Sequence, residues 1–329
     1  MAAPLVVVTD SVFPDLEPAK EALAELRAEL RLAEEPTPEA ILAVAREADG
    51  LLVTYAQISS DIIEELDRCR IIARFGIGVD NVDIMAATRA GIVVTNVPDY
   101  CIDEVSDHAL ALLLALVRKV VLANQQVQAG RWEMQAVVPI HRLRGHTLGL
   151  VGFGKIPRAL TPKAQAFGVR VIACDPYVSD ELMASLEVER VTFDELLQTA
   201  DYVSVHAPLT PDTRHMFNAD AFRQMKPGAL LVNTARGPLI DEQALANALD
   251  EGRLAAAALD VLPCEPPANS PLLGRDNVIL TPHIAFYSEE SLVELQTKAA
   301  QEVVRVLSDQ APQYPVNLEI LGNRRTDLT

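Results

Sequence analysis

One alternation constrains this chain more than any other feature: short aliphatic runs followed by segments of helical period, repeated along most of its length. Residues 5–8, 51–53, 71–73 and 92–94 are continuous apolar runs with no polar face. Such runs read as strands buried on both sides, as in parallel sheets covered by helices. Between them, residues 18–32, 38–48, 61–69 and 82–90 carry helical periodicity, and Gly91 can end the last of these. A long helix is expected from residue 102 to about 129, stopped by Gly130. A second series of strands follows at 147–151, 170–173, 202–205, 229–232, 255–259 and 278–280, with helices between most of them and a closing helix over about 289–307. This order predicts an α/β protein with doubly wound parallel sheets. A length of 329 residues calls for two domains.

The formal charge of −18 argues against nucleic acid and anionic membrane surfaces as partners. The one basic pair near the end, Arg324-Arg325, is too short to reverse that. Cys69, Cys101, Cys174 and Cys264 show no CxxC spacing, so neither zinc nor any other metal is expected, and reduced, mostly buried thiols suit a cytoplasmic protein. The N-terminal MAAPLVVVTDS reads as a short strand rather than a signal peptide, and the longest apolar stretch, 109–117, is about half a membrane span.

At 148–160 the sequence reads LGLVGFGKIPRAL. An apolar strand leads into Gly152-Phe153-Gly154, and a helix follows. Gly152 permits a tight turn, and Gly154 lets the backbone approach a pyrophosphate. The N–H groups at the helix start, at Lys155 and Ile156, favour that anion. About twenty residues on, a second strand ends in Asp175, where a carboxylate accepts hydrogen bonds from ribose hydroxyls and repels the extra phosphate of NADP. The loop therefore predicts NAD. Pro157 stands where a third small residue is usual, and near the first helical turn its missing N–H had no intrahelical partner to lose. Pro162, further inside the helix, has no reason legible in the sequence.

Three charged residues each follow an apolar strand: Arg236 after LLVNTA, Glu265 after AAALDV, and His283 after VILTP. Carboxyl ends of parallel strands are where open α/β sheets bind ligands. An arginine there can clamp a carboxylate with two hydrogen bonds. A histidine can protonate a carbonyl oxygen as hydride reaches its carbon, and a glutamate paired with it orients the ring.

With these residues in view, the chain resembles the D-2-hydroxyacid dehydrogenases, including phosphoglycerate and glyoxylate/hydroxypyruvate dehydrogenases. The matching stretches are ARFGIGVDNVDI (73–84), GFGKIPRA (152–159), HAPLTPDT (206–213), NTARGPLIDE (233–242), ALDVLPCEPP (258–267) and TPHIAFYSEESL (281–292). The resemblance implies Arg236, Glu265 and His283 as the catalytic trio, and the N–H groups of Ile77 and Gly78 as donors to the substrate carboxylate; Tyr100 and Phe286, in stretches that depart from many members, are candidates to line the substrate pocket. It implies that Asp260 accepts from the nicotinamide carboxamide. Ala207, Pro208, Thr213, Thr234 and Ala235 would line the cofactor. It further implies a Rossmann NAD domain (101–288) inserted into a flavodoxin-like substrate domain (1–100 and 289–329), closure of the two domains to exclude water, and a homodimer joined partly through 102–145, including Trp132. The expected activity is interconversion of a 2-oxo acid and a D-2-hydroxy acid. AFYS (285–288) and VPDYCIDEVSDH (97–108) resemble the branch related to C-terminal-binding corepressors, so an NAD(H)-responsive interaction protein is the alternative. The histidines at 108, 141, 146, 206 and 215 show no metal spacing and read as structural or exposed, with His206 also a candidate neighbour of the cofactor.

Overall fold

The computed structural model describes residues 3–319; Arg324-Arg325 falls outside them. The chain divides into two compact units, Met1–Tyr100 with Ser288–Thr329, and Cys101–Tyr287.

The first unit holds strands β1 (Leu5–Val8), β2 (Glu29–Leu32), β3 (Gly50–Val53), β4 (Ile71–Arg74) and β5 (Val93–Thr95). They form one parallel sheet in the order β2-β1-β3-β4-β5, the flavodoxin-like arrangement. Val7, Leu51, Val53, Ile72 and Val94 pack with Ile41, Ala45, Ile62 and Ala87 into a core on one face. The closing helix, Glu289–Leu307, returns to this unit, capped by the Ser288 side chain and burying Leu292, Leu295, Ala299 and Val303.

One expectation needs correction here. The helix expected over 18–32 ends at Leu23 and passes through a 3-10 turn, Ala24–Leu26. Arg27 then takes a left-handed conformation (φ 53°) that redirects the chain into β2. β2 reads Glu-Leu-Arg-Leu and is mostly exposed, so its sequence carries the polarity of a helix surface. Only pairing with β1, Leu5 opposite Glu29, makes it a strand.

The second unit holds β6 (Thr147–Val151), β7 (Arg170–Cys174), β8 (Glu189–Arg190), β9 (Tyr202–Val205), β10 (Ala229–Asn233), β11 (Leu254–Leu259) and β12 (Val278–Leu280). The order is β12-β11-β10-β9-β6-β7-β8, all parallel. This is the Rossmann order with one further strand beyond β11, and its direction of winding reverses between β6 and β9. Apolar side chains pack on both faces: Val151, Val203, Val205 and Leu231 on one, Leu148, Leu150, Val171 and Val232 on the other. The two-residue edge strand β8 lay outside the sequence expectation because a pair so short carries no period.

The long helix expected over 102–129 is two helices, Ile102–Arg118 and Val120–Gln128. Lys119 breaks it in the left-handed region (φ 50°). The first helix buries Ala109, Leu112, Leu113, Leu116 and Val117, while the second buries none of its residues. In the Lys155–Ala166 helix, Pro157 is the third residue and is buried, where its missing N–H is no loss. Pro162 lies on the exposed face, where water can take the carbonyl left unpaired. No helix among the described residues is long and apolar enough to cross a membrane.

Candidate active site

Because the sheet of the second unit is parallel, the loops after β6, β9, β10, β11 and β12 all emerge at its carboxyl edge. The reversal between β6 and β9 is where such a fold opens a crevice. The loops flanking it meet at Gly152 (φ 90°), where a Cβ would come within 2.9 Å of the His206 carbonyl carbon and oxygen. Only glycine brings the two turns this close. A Cβ on Gly154, by contrast, would meet nothing within 4 Å, so the start of the Lys155–Ala166 helix stands open. Lys155 is exposed and Ile156 half-buried at that start. Arg158, which sequence reading passed over, folds back with Nε donating to the Gly154 carbonyl at 2.9 Å.

At the end of β7, Asp175 accepts from the Phe153 N–H (2.7 Å) on one oxygen and from the Tyr177 N–H (2.8 Å) on the other. Each oxygen keeps a further lone pair, as ribose recognition needs. After β9, Ala207 is buried and Pro208 exposed. The Thr213 hydroxyl closes that loop by donating to the Pro208 carbonyl at 2.7 Å. Burial pushes the His206 imidazole down to about 4, and its Nε2 lies 2.9 Å from the Ser204 hydroxyl. Thr234, at the end of β10, has a buried hydroxyl with no protein partner. An open helix start, a glycine turn no side chain fits, a ribose-type carboxylate and an orphaned hydroxyl together fit a bound dinucleotide. Among the described residues no group of three or more His, Cys, Asp or Glu could hold a metal ion.

Three turns bring the charged residues together. In the turn after β10, Asn233 is fully buried; its amide nitrogen donates to the Arg236 carbonyl (2.8 Å) and its oxygen accepts from the Ala235 N–H (2.9 Å). The half-buried Arg236 donates from Nη1 to the Ala235 carbonyl. In the turn after β11, Glu265 accepts the Leu262 N–H on Oε1 (2.9 Å), and its Oε2 lies 2.7 Å from His283 Nδ1. Burial pushes the Glu265 carboxyl upward. The hydrogen bond and charge of His283, the Leu262 N–H and the Arg236 guanidinium outweigh it, and the pKa lies below the ordinary carboxylate value. Cys264, next to it, is exposed, unlike the buried Cys69 and Cys101.

In the turn after β12, His283 is left-handed (φ 54°), a conformation costing a non-glycine residue about 1–2 kcal/mol. Asp260 holds it there. Its carbonyl accepts the His283 N–H (2.8 Å), Oδ1 accepts from Ile284 N–H (3.0 Å) and the Thr281 hydroxyl (2.6 Å), and Oδ2 accepts from Ala285 N–H (2.9 Å). Sequence reading cast Asp260 only as a cofactor contact, yet its side chain is fully buried and committed to this turn. Phe286 meets the His283 ring edge to face, centroids 6.2 Å apart. In the first unit, Ile77 and Gly78 are half-buried on the turn after β4, where Asn96 donates to the Ile77 carbonyl at 2.6 Å. Tyr100 is buried at the end of that unit's first segment.

The family model for the D-isomer specific 2-hydroxyacid dehydrogenase, NAD binding domain, matches residues 110–285. D-3-phosphoglycerate dehydrogenase of Methanocaldococcus jannaschii is 39% identical over 95% of this chain, which spans 59% of that relative's length. Glyoxylate reductase of Korarchaeum cryptofilum is 37% identical over 88% of this chain and 89% of its own. Among solved structures, a glyoxylate reductase from Paecilomyes thermophila superposes with a TM-score of 0.88 at 28% identity, covering 97% of this chain and 100% of that one. By fold, by the three converging turns and by these matches, the chain belongs to the D-isomer specific 2-hydroxyacid dehydrogenase family.

Proposed function

We propose that this chain is an NAD-dependent dehydrogenase interconverting a 2-oxo acid and a D-2-hydroxy acid. The observation that carries this reading is the 2.7 Å pair of His283 and Glu265, with the Arg236 guanidinium near enough to act on the same carboxylate. Arg236 offers the substrate carboxylate a planar pair of donors. Glu265 holds the proton on His283 Nδ1, which assigns proton transfer with the substrate oxygen to Nε2. Gly152, Gly154, Lys155, Ile156, Asp175 and Thr234 would hold NADH, which would supply a hydride to the substrate carbonyl carbon. The carboxylate of Asp175 supports NAD over NADP.

The test is turnover of glyoxylate, pyruvate, hydroxypyruvate and longer 2-oxo acids, followed by NADH absorbance. Arg236→Ala and His283→Ala should lose most turnover while NADH fluorescence still reports binding. Full turnover by His283→Ala would sink the assignment. The relatives reported above are named as dehydrogenase and reductases, and no observation favours the interaction-protein alternative. Absence of turnover together with NADH-dependent self-association would revive it.

The proposal includes a homodimer. Val127, Trp132 and Met134 are exposed apolar side chains in one segment of the second unit, Trp132 at 87%, around a shallow cavity of about 260 Å³, and Val120 is exposed earlier in the same segment. A patch of this kind favours a protein partner, and a second copy is the occupant proposed. Sedimentation of the wild type as a dimer and of Trp132→Asp as a monomer is the expected outcome.

A further inference from the structure

A second imidazole stands behind the His283 turn. We propose that His108, on the Ile102–Arg118 helix, is a positioning residue for that turn, acting through Thr281 and Asp260. The kinetic part of this inference rests on the dehydrogenase reading; the structural part does not.

The Thr281 hydroxyl has one proton to give. Its oxygen lies 2.6 Å from Asp260 Oδ1 and 3.1 Å from His108 Nε2. The carboxylate is the nearer partner and only accepts, so the proton goes there. The same oxygen must then accept from His108, which places a proton on Nε2 and fixes the ring's tautomer. Nε2 also stands 3.6 Å from Asp260 Oδ1. His108 is thus the donor that completes a chain from the helix, through one hydroxyl, to the carboxylate gripping Ile284 and Ala285.

The consequence reaches His283. Its left-handed backbone and its 2.7 Å pair with Glu265 depend on the turn from Thr281 to Ala285 keeping its shape. Thr281 is tied at its other end by its N–H to the Leu259 carbonyl (3.1 Å). Without a donor at residue 108, the hydroxyl keeps one bond instead of two, and its rotamer is held by Asp260 alone. Loss of one such bond corresponds to roughly 2- to 13-fold in the population of the competent turn.

The test compares His108→Leu, which removes the donor, with His108→Gln, whose side-chain amide can donate from the Nε2 position. Thr281→Val removes the same link from the other side and serves if the leucine variant does not fold. In His108→Leu or Thr281→Val, kcat should fall about tenfold with little change in KM for the 2-oxo acid, because Arg236 sits on a different turn. His108→Gln should recover kcat to within about threefold of wild type. Hydrogen exchange at the amides of 283–285 should quicken in the leucine and valine variants and stay at the wild-type rate in the glutamine variant. Unchanged exchange at those amides in both His108→Leu and Thr281→Val, or identical behaviour of the leucine and glutamine variants, overturns the inference. If the wild type reduces no 2-oxo acid, the dehydrogenase reading fails, and the exchange comparison alone decides the role of His108.

Discussion

Replacing Gly237 with alanine puts a methyl carbon where backbone already stands. A Cβ at this position would lie 2.0 Å from the Leu262 carbonyl carbon, 2.3 Å from its oxygen and 2.4 Å from the Pro263 nitrogen. Carbon atoms pack at about 3.5–4.0 Å, so the turn carrying Arg236 and the turn carrying Glu265 must separate by roughly 1.5 Å. All three obstructing atoms are main chain, so no side chain can swing aside. Leu262 also donates its N–H to Glu265, which passes the displacement to the partner of His283. A misplacement of about 1 Å in a catalytic constellation costs on the order of 10²-fold in rate. Overpacking of this kind destabilises by about 1–3 kcal/mol. The expected result for Gly237→Ala is a loss of about a hundredfold in kcat and a melting temperature several degrees lower. NADH affinity should change by less than about threefold, because the Gly152 turn is untouched. NADH oxidation with the best 2-oxo acid measures the first, and nicotinamide fluorescence the last. A folded Gly237→Ala protein retaining half or more of wild-type kcat would refute the claim that these two turns must touch.

Other perturbations follow from the same geometry. Gly152→Ala sets a Cβ 2.9 Å from His206 backbone in a left-handed turn, and should weaken NADH binding at least tenfold in a fluorescence titration. Asp175→Ala removes the carboxylate at the end of β7, and the ratio of NADPH to NADH turnover should rise at least tenfold. The Glu265 pKa is depressed in the folded protein, so the stabilisation of its pair is complete above the ordinary value of 4.5 and is lost as pH falls through the lower folded value; Glu265→Gln should flatten that acid decline in melting temperature. His206 binds its proton more readily when unfolded, so its contribution to stability is complete above 6.5 and disappears as pH falls toward about 4; His206→Asn should reduce the slope of melting temperature across that window.

The buried strands were legible because a strand covered on both faces has no polar residue to obscure it, as in Val6–Val8 or Ile71–Ala73. Arg236, Glu265 and His283 stand out in the sequence because each interrupts apolar sequence just past a strand; their catalytic role is the proposal made above. The edge strand β2 was not legible, because its charged residues alternate on a surface that any helix could also present. Nor was the break at Lys119, since apolar periodicity continues on either side of it; the change from a buried helix to an exposed one is a fact about neighbours.

Local sequence determined where the buried strands lie, where a dinucleotide can rest, and which side chains carry charge to the sheet's edge. Tertiary structure alone decided how those charges are held. Asp260 grips the turn of His283 through hydrogen bonds from another strand, and Gly237 packs against a backbone 25 residues away at Leu262. His108 reaches the same cluster across 173 residues of sequence. Propensity and period describe a residue against its nearest neighbours, whereas these contacts exist only once separate strands lie side by side.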